Sequence, residues 1–143
     1  MATRQAHARW EGNLKNGAGT VDFGRGMFKG PYSFASRFED GRGTNPEELL
    51  GASHASCFAM ALSLILSEAG FEPRYVDATA HVTIRPHDGG FQIAKSHLVC
   101  EASVPSIDAP TFERHAENAK ANCPVSKALA GTEITLEARL RPQ

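Results

Sequence analysis

The chain has 143 residues, with 15 lysines and arginines against 16 aspartates and glutamates and a formal net charge of -1. That length suits one domain spanning residues 1–143, large enough for a core yet near the size at which an oligomer interface completes the burial. Dispersed charge with almost no net sign supplies no basic field to hold a phosphate backbone, so nucleic acid is not an expected partner.

The first forty residues mix short alternating runs with glycine. His7-Ala8-Arg9-Trp10, Thr20-Val21-Asp22-Phe23 and Tyr32-Ser33-Phe34-Ala35 read as strands joined by turns. The stretch Gly24 to Gly30 lacks the Lys-Ser/Thr ending of a phosphate loop and reads as a strand connection. Asn45-Pro46-Glu47-Glu48 then carries a helix start: Asn45 to cap, Pro46 at the first helical position, Glu48 to complete a capping box. The helix should run to about Ala69 and stop at Gly70. Its interior is apolar on nearly every side, which calls for burial all round, by its own sheet and by a second subunit. The apolar run Phe58 to Leu66 falls short of the roughly 20 residues a bilayer crossing needs, so no membrane is expected.

Two long alternating segments, Val76 to Arg85 and Gln92 to Val104, flank His87-Asp88-Gly89-Gly90 and predict a long antiparallel hairpin. Ala109 to Ala121 reads as a helix, Pro124 to Ala130 as a second short one, and Ile134 to Leu140 as a closing strand. Strands before and after a central helix give an α+β class with antiparallel sheets around a long buried helix.

The chemistry points to thiols. There are three cysteines, none in the close spacing of a zinc ribbon, and the N-terminus shows no charged-apolar-cleavage signal. The expectation is a cytoplasmic, reducing-compartment protein whose thiols react rather than staple. A working cysteine needs something that lowers its pKa. Cys57 lies about three turns into the long helix, beyond the reach of that helix's own dipole, so a cation must come from elsewhere. Cys123, just before Pro124, is instead placed to cap a helix and face free backbone N–H groups. On dipoles alone Cys123 would be the nucleophile. Cys100, inside a predicted strand, reads as packing. His54 lies three residues before Cys57 and so shares its helical face. It reads as a structural or pocket-lining histidine. A base or metal-ligand role would require a further oriented partner that the sequence does not identify.

The segments from Asn45-Pro46-Glu47-Glu48 through Ala55-Ser56-Cys57-Phe58, and Asn122-Cys123-Pro124-Val125-Ser126-Lys127-Ala128-Leu129, closely resemble the two cysteine motifs of the OsmC/Ohr family of organic hydroperoxide reductases. The element order resembles that family over essentially the whole chain, and the Val-Ser-Lys-Ala-Leu ending looks like its OsmC branch. The resemblance implies an OsmC-like fold in an intimate homodimer. It makes Cys57 the peroxide-reacting thiol and Cys123 its resolver, reversing the dipole argument. It also implies an arginine and a glutamate beside the reactive thiol, which map to Arg37 and Glu47, with Arg25 the weaker candidate for the arginine. The implied activity is reduction of organic hydroperoxides, and more weakly of hydrogen peroxide, by way of a Cys57 sulfenate and a Cys57–Cys123 disulfide. An external dithiol, of lipoyl type by the resemblance, would return the enzyme to its reduced state, with no metal or cofactor.

Two other classes are compatible with a pair of reactive thiols. A redox sensor would form the same disulfide without turnover, and a cysteine-dependent hydrolase would form acyl thioesters. Helix pitch bears on how any such site is assembled. Glu47 and Cys57, ten residues apart, are about 15 Å apart along one helix and about 80° apart around it. A compact cluster within one helix is hard to build, so a site shared across a two-fold dimer is expected.

Overall fold

Alternation in the N-terminal segment yields three strands in the computed structural model, which describes residues 1–143. Strands β1 (Ala6–Glu11), β2 (Ala18–Phe23) and β3 (Phe28–Tyr32) form an antiparallel meander in that order. The first two fall on the predicted runs. β3 corrects the reading of residues 24–30 as a connection, because the turn needs only Gly24, Arg25, Gly26 and Met27, with φ of 63°, 58° and 84° at the first three. Phe23 and Phe28 stack across it with ring centroids 5.0 Å apart.

The strand expected over Tyr32–Ala35 is also corrected. Tyr32 ends β3, and Ser33 caps a short helix, α1 (Phe34–Phe38). The Ser33 hydroxyl accepts the Ser36 N–H at 3.0 Å and the Ser36 hydroxyl accepts the Ser33 N–H at 2.8 Å. That reciprocal box draws the segment away from extended backbone.

The long helix α2 (Pro46–Glu68) begins as its sequence requires, with Asn45 Oδ1 accepting the Glu48 N–H at 2.8 Å. Glu48 does not turn back on Asn45; its carboxylate accepts the Thr44 hydroxyl at 3.1 Å. Gly70, at φ 91°, ends the helix, and the Phe71 N–H returns to the Leu66 carbonyl at 2.9 Å. The chain divides into two compact units, 1–49 and 50–143, with the boundary in the first turn of α2.

The second unit holds β4 (Tyr75–His87), β5 (Gly90–Ser103), the helices α3 (Ala109–Asn122) and α4 (Pro124–Ala128), and β6 (Glu133–Leu140). β4 and β5 are the predicted hairpin, closed by Asp88 and Gly89 at φ 47° and 80°, the pair of positive values a tight hairpin turn demands. The expected all-antiparallel arrangement is corrected at β6, which pairs with β5 in parallel from Lys95↔Glu133 to Ala102↔Leu140. Two helices lie between these strands, and they supply the crossover a parallel pair needs. The second sheet is therefore mixed, within an α+β architecture.

Phe58, Leu62 and Leu66 of α2 join Leu98, Cys100 and Ala102 of β5 and Phe112, Ala116 and Ala119 of α3 in one core. Each of the larger apolar side chains contributes roughly 1.5–3 kcal/mol by leaving water. Gly51 allows α2 to approach β4 closely: a Cβ there would lie 3.3 Å from the Ala80 carbonyl oxygen. Beyond Glu47 in its first turn, only the stripe Gly51, His54, Phe58, Leu62 and Leu66 of α2 is buried. Met60 and Leu64 are 75% and 58% exposed, so the burial on all sides expected from the sequence is not met within one chain. Taken whole, α2 is long and apolar enough to cross a membrane by length and composition, which the shorter run Phe58 to Leu66 did not suggest. Its buried stripe, with a histidine in it, is that of a core helix.

Candidate active site

Cys57 and Cys123 meet in the second unit. Cys123 lies at the junction of two helices, closing α3 through its N–H to the Ala119 carbonyl and opening α4 with its side chain. As expected of a cap, its sulfur accepts the Ser126 N–H at 3.3 Å. Cys57 reaches the same turn, close enough for the Cys123 side chain and the Val125 backbone N–H to act on its thiol. Both thiols are free, Cys57 half-buried and Cys123 buried. Burial pushes the Cys57 thiol up, the Val125 N–H pulls it down, and neighbouring Cys123 raises it again, with a net upward shift.

No cation is among the groups acting on Cys57. Its own helix dipole does not reach it, and in place of the cation expected from elsewhere in the fold an amide of a different helix acts on the thiol. The signal was present in Pro124, which occupies the first position of α4 and leaves the next two N–H groups, of Val125 and Ser126, facing the thiols.

Arg37 and Glu47 meet in the first unit. Arg37 donates from Nη2 to Glu47 Oε1 at 2.8 Å and from Nε to both carboxylate oxygens at 3.2 and 3.3 Å. Local structure fixes this fork. The buried Ser36 hydroxyl donates to the Thr44 carbonyl at 2.7 Å, and Asn45 Nδ2 donates to the Ser36 carbonyl at 2.9 Å, tying α1 to the start of α2. Glu47 is only 7% exposed, so this is not an ordinary surface pair. The guanidinium also lies over the Phe38 ring, 5.3 Å from its centroid. A cavity of about 400 Å³ adjoins it, with Trp10, Tyr32, Phe34, Phe38 and Pro46 on its walls. Arg25, by contrast, sits exposed in the β2–β3 turn.

His54 is fully buried, and both ring nitrogens are occupied: Nδ1 by Ser96 Oγ at 2.7 Å and Nε2 by Ser126 Oγ at 2.8 Å. Neither nitrogen is left to serve Cys57 as a hydrolase base. Cys100 is core packing on β5, its thiol pushed up to about 12, chiefly by burial. No group of three or more His, Cys, Asp or Glu side chains is arranged to hold a metal ion.

Fold and site together define an α+β thiol protein whose two free cysteines lie side by side at a helix start. A family model described as OsmC-like protein matches residues 39–138. The chain is 51% identical over 139 residues to Peroxiredoxin OsmC of Escherichia coli K12, covering 96% of each. It is 35% identical over 96 residues to Organic hydroperoxide resistance protein-like 2 of Staphylococcus epidermidis, covering 65% of each. An organic hydroperoxide resistance protein from Elizabethkingia anophelis shares the fold at a TM-score of 0.72 and 24% identity, covering 98% of this chain and 99% of that one. So does an OsmC-like protein from Mycoplasma pneumoniae, at 0.75 and 16%, covering 99% of each. The chain belongs to the OsmC family.

Proposed function

We propose that the chain is a two-cysteine thiol peroxidase that reduces organic hydroperoxides to alcohols, and hydrogen peroxide more weakly to water. Membership of the OsmC family, with a relative at 51% identity named a peroxiredoxin, supports the peroxidase class. The contact between Cys57 and Cys123 is the observation that carries the two-cysteine route. The Cys57 thiolate attacks the terminal peroxide oxygen, the O–O bond breaks, and the leaving alkoxide takes a proton to become the alcohol. Cys57 is left as a sulfenic acid, which condenses with Cys123 to a disulfide and water. An external dithiol then reduces the disulfide by exchange. Three free cysteines are in keeping with a reducing, cytoplasmic setting. Arg37, held in a fork by Glu47, stabilises the Cys57 thiolate and the charge developing on the peroxide. Its aromatic-walled cavity suits an organic group over a bare hydroperoxide.

The test is consumption of cumene hydroperoxide with excess dithiol. Many turnovers per chain are expected, with mass spectrometry after one equivalent giving a Cys57–Cys123 disulfide. One equivalent consumed and then silence would mean a sensor.

Residues 1–143 act as one functional domain in this reading, paired in a two-fold homodimer. Glu47 and Cys57 are too far apart along α2 for one helix to complete the site. The exposed Met60 and Leu64, and a groove of about 530 Å³ lined by Ala52, Ala55, Ser56, Ala59 and Tyr75, leave apolar surface for a second copy. Mixing inactive Glu47→Ala and Cys57→Ser subunits, through refolding if exchange is slow, should restore one working site per heterodimer. No recovery in verified heterodimers, or full activity in a monomer, would sink the shared site.

A further inference from the structure

An unbroken hydrogen-bonded line runs from the thiols into the core. Cys123 Sγ lies 3.1 Å from Ser126 Oγ, Ser126 Oγ lies 2.8 Å from His54 Nε2, and His54 Nδ1 lies 2.7 Å from Ser96 Oγ. The partners come from four places, the α3–α4 junction, α4, α2 and β5, so a local turn preference does not account for the alignment. The line can be satisfied in either direction, and in the one that starts at the thiol Cys123 S–H donates to Ser126 Oγ, Ser126 O–H to His54 Nε2, and His54 Nδ1–H to Ser96 Oγ. That leaves an imidazole nitrogen accepting at the end of a path from the second thiol.

We infer that His54, acting through Ser126, is the base that deprotonates Cys123 for its attack on the oxidised Cys57. This rests on the two-cysteine reading above. Ser126 touches the reacting sulfur and carries the proton; His54 is a positioning residue that receives it.

The step balances without a further reagent. The Cys123 proton passes to Ser126 Oγ as the Ser126 proton passes to His54 Nε2. The Cys123 electron pair forms the S–S bond, and the S–O bond of the Cys57 sulfenic acid breaks. The departing hydroxide takes up the proton returned from His54, giving one disulfide and one water, with the imidazole neutral again. The Cys57 sulfur is reduced and the Cys123 sulfur oxidised, both ending at the disulfide level.

The surroundings keep His54 available as a base. Burial lowers its pKa below the usual histidine value, so the ring is neutral at neutral pH. The other buried titratable groups of its unit are Cys100 on β5 and Cys123, while Cys57, Lys95, His97, Glu101, His115 and Lys120 are half-buried; burial is the influence on His54, with no carboxylate or cation acting on it. A merely structural histidine needs partners for both nitrogens. It does not need one of them to be the hydroxyl bonded to the resolving thiol.

The test uses the full chain as wild type, His54→Gln and Ser126→Ala, each with excess cumene hydroperoxide and no reductant. Mass spectrometry then measures the ratio of Cys57–Cys123 disulfide to Cys57 sulfinic acid across pH. Slow condensation leaves the sulfenic acid exposed to a second peroxide, so the ratio reports the second step rather than the first. Near neutral pH it should fall about a hundredfold in both variants, the usual scale for losing a positioned base. It should recover above about pH 9, where thiols in general ionise without help. Ser126→Ala keeps the backbone N–H that anchors Cys123, and circular dichroism checks that both variants fold. A ratio unchanged at neutral pH in the folded variants overturns the relay. So does a fall that higher pH does not repair, since that marks a displaced Cys123. Wild type yielding neither disulfide nor sulfinic acid would reject the two-cysteine reading itself, a separate failure.

Discussion

Cys57→Ser is expected to abolish hydroperoxide reduction, because a serine hydroxyl does not ionise near neutral pH and is no substitute for a thiolate attacking an O–O bond. Cys123→Ser should behave differently. It keeps the attacking thiol and the Val125 N–H that lowers its pKa, so the first oxidation should proceed, and Cys57 should then accumulate as sulfenic acid and higher oxides for lack of a resolver. Single-equivalent hydroperoxide treatment followed by mass spectrometry separates the two. The opposite pattern, with Cys57→Ser still forming a sulfenate on Cys123 and Cys123→Ser inert, would reverse the roles. That outcome has physical motivation, since Cys123 has the regular cap geometry and Cys57 bears the desolvation.

Arg37→Met should slow peroxide reduction by about a hundredfold or more, the equivalent of about 2 to 4 kcal/mol for a charge-assisted donor at a developing anion. The sign of the accompanying pH effect follows from the thiol. Burial and Cys123 hold Cys57 above its ordinary value within one chain, and a guanidinium brought to it favours the thiolate and lowers that value. Losing the guanidinium should therefore move the alkylation profile of Cys57 to higher pH. The substitution also strands a carboxylate that is 7% exposed, which costs up to about 3 to 5 kcal/mol when a buried pair is broken. A thermal melt on the same sample separates lost fold from lost chemistry. Arg37→Lys, which keeps the charge without the fork, should fall between wild type and Arg37→Met. An unchanged rate and an unchanged alkylation profile would remove Arg37 from the site and return attention to Arg25.

Legibility in the sequence followed the range of the interaction. The start of α2 at Asn45-Pro46, its stop at Gly70, the β4–β5 turn at Asp88-Gly89 and the cap at Cys123-Pro124 could all be read, because each is decided within a few residues by cap or turn stereochemistry. β3 and α1 were misread for a related reason. Between Gly24 and Ala35 the local signals compete, and cross-strand pairing with β2 and the Ser33–Ser36 box decided what alternation alone could not. The direction of β6 depends on how α3 and α4 cross over, which no short pattern encodes. Among the candidate residues, the family resemblance singled out both thiols and the Arg37–Glu47 pair, and the structure brings each pair together within its own unit. The Val125 amide at Cys57 and the link from His54 to Ser126, 72 residues apart in sequence, exist only once α4 has been brought to α2.

The parallel pairing of β6 with β5 carries a consequence for synthesis of the chain. The β4–β5 hairpin can close as soon as its turn is made, whereas β6 must find β5 across the whole α3–α4 connection, and such non-local pairings form late. α3, which delivers Cys123, packs on β6, so on the two-cysteine proposal a chain that has not completed this last pairing holds Cys57 without a secured resolver. A folding intermediate met by peroxide at that moment would be driven to irreversible sulfinic acid, not to a reducible disulfide. On that proposal the newly made chain should be more vulnerable to peroxide than the finished one, which would make its yield under oxidative conditions a matter of folding speed as well as of catalysis.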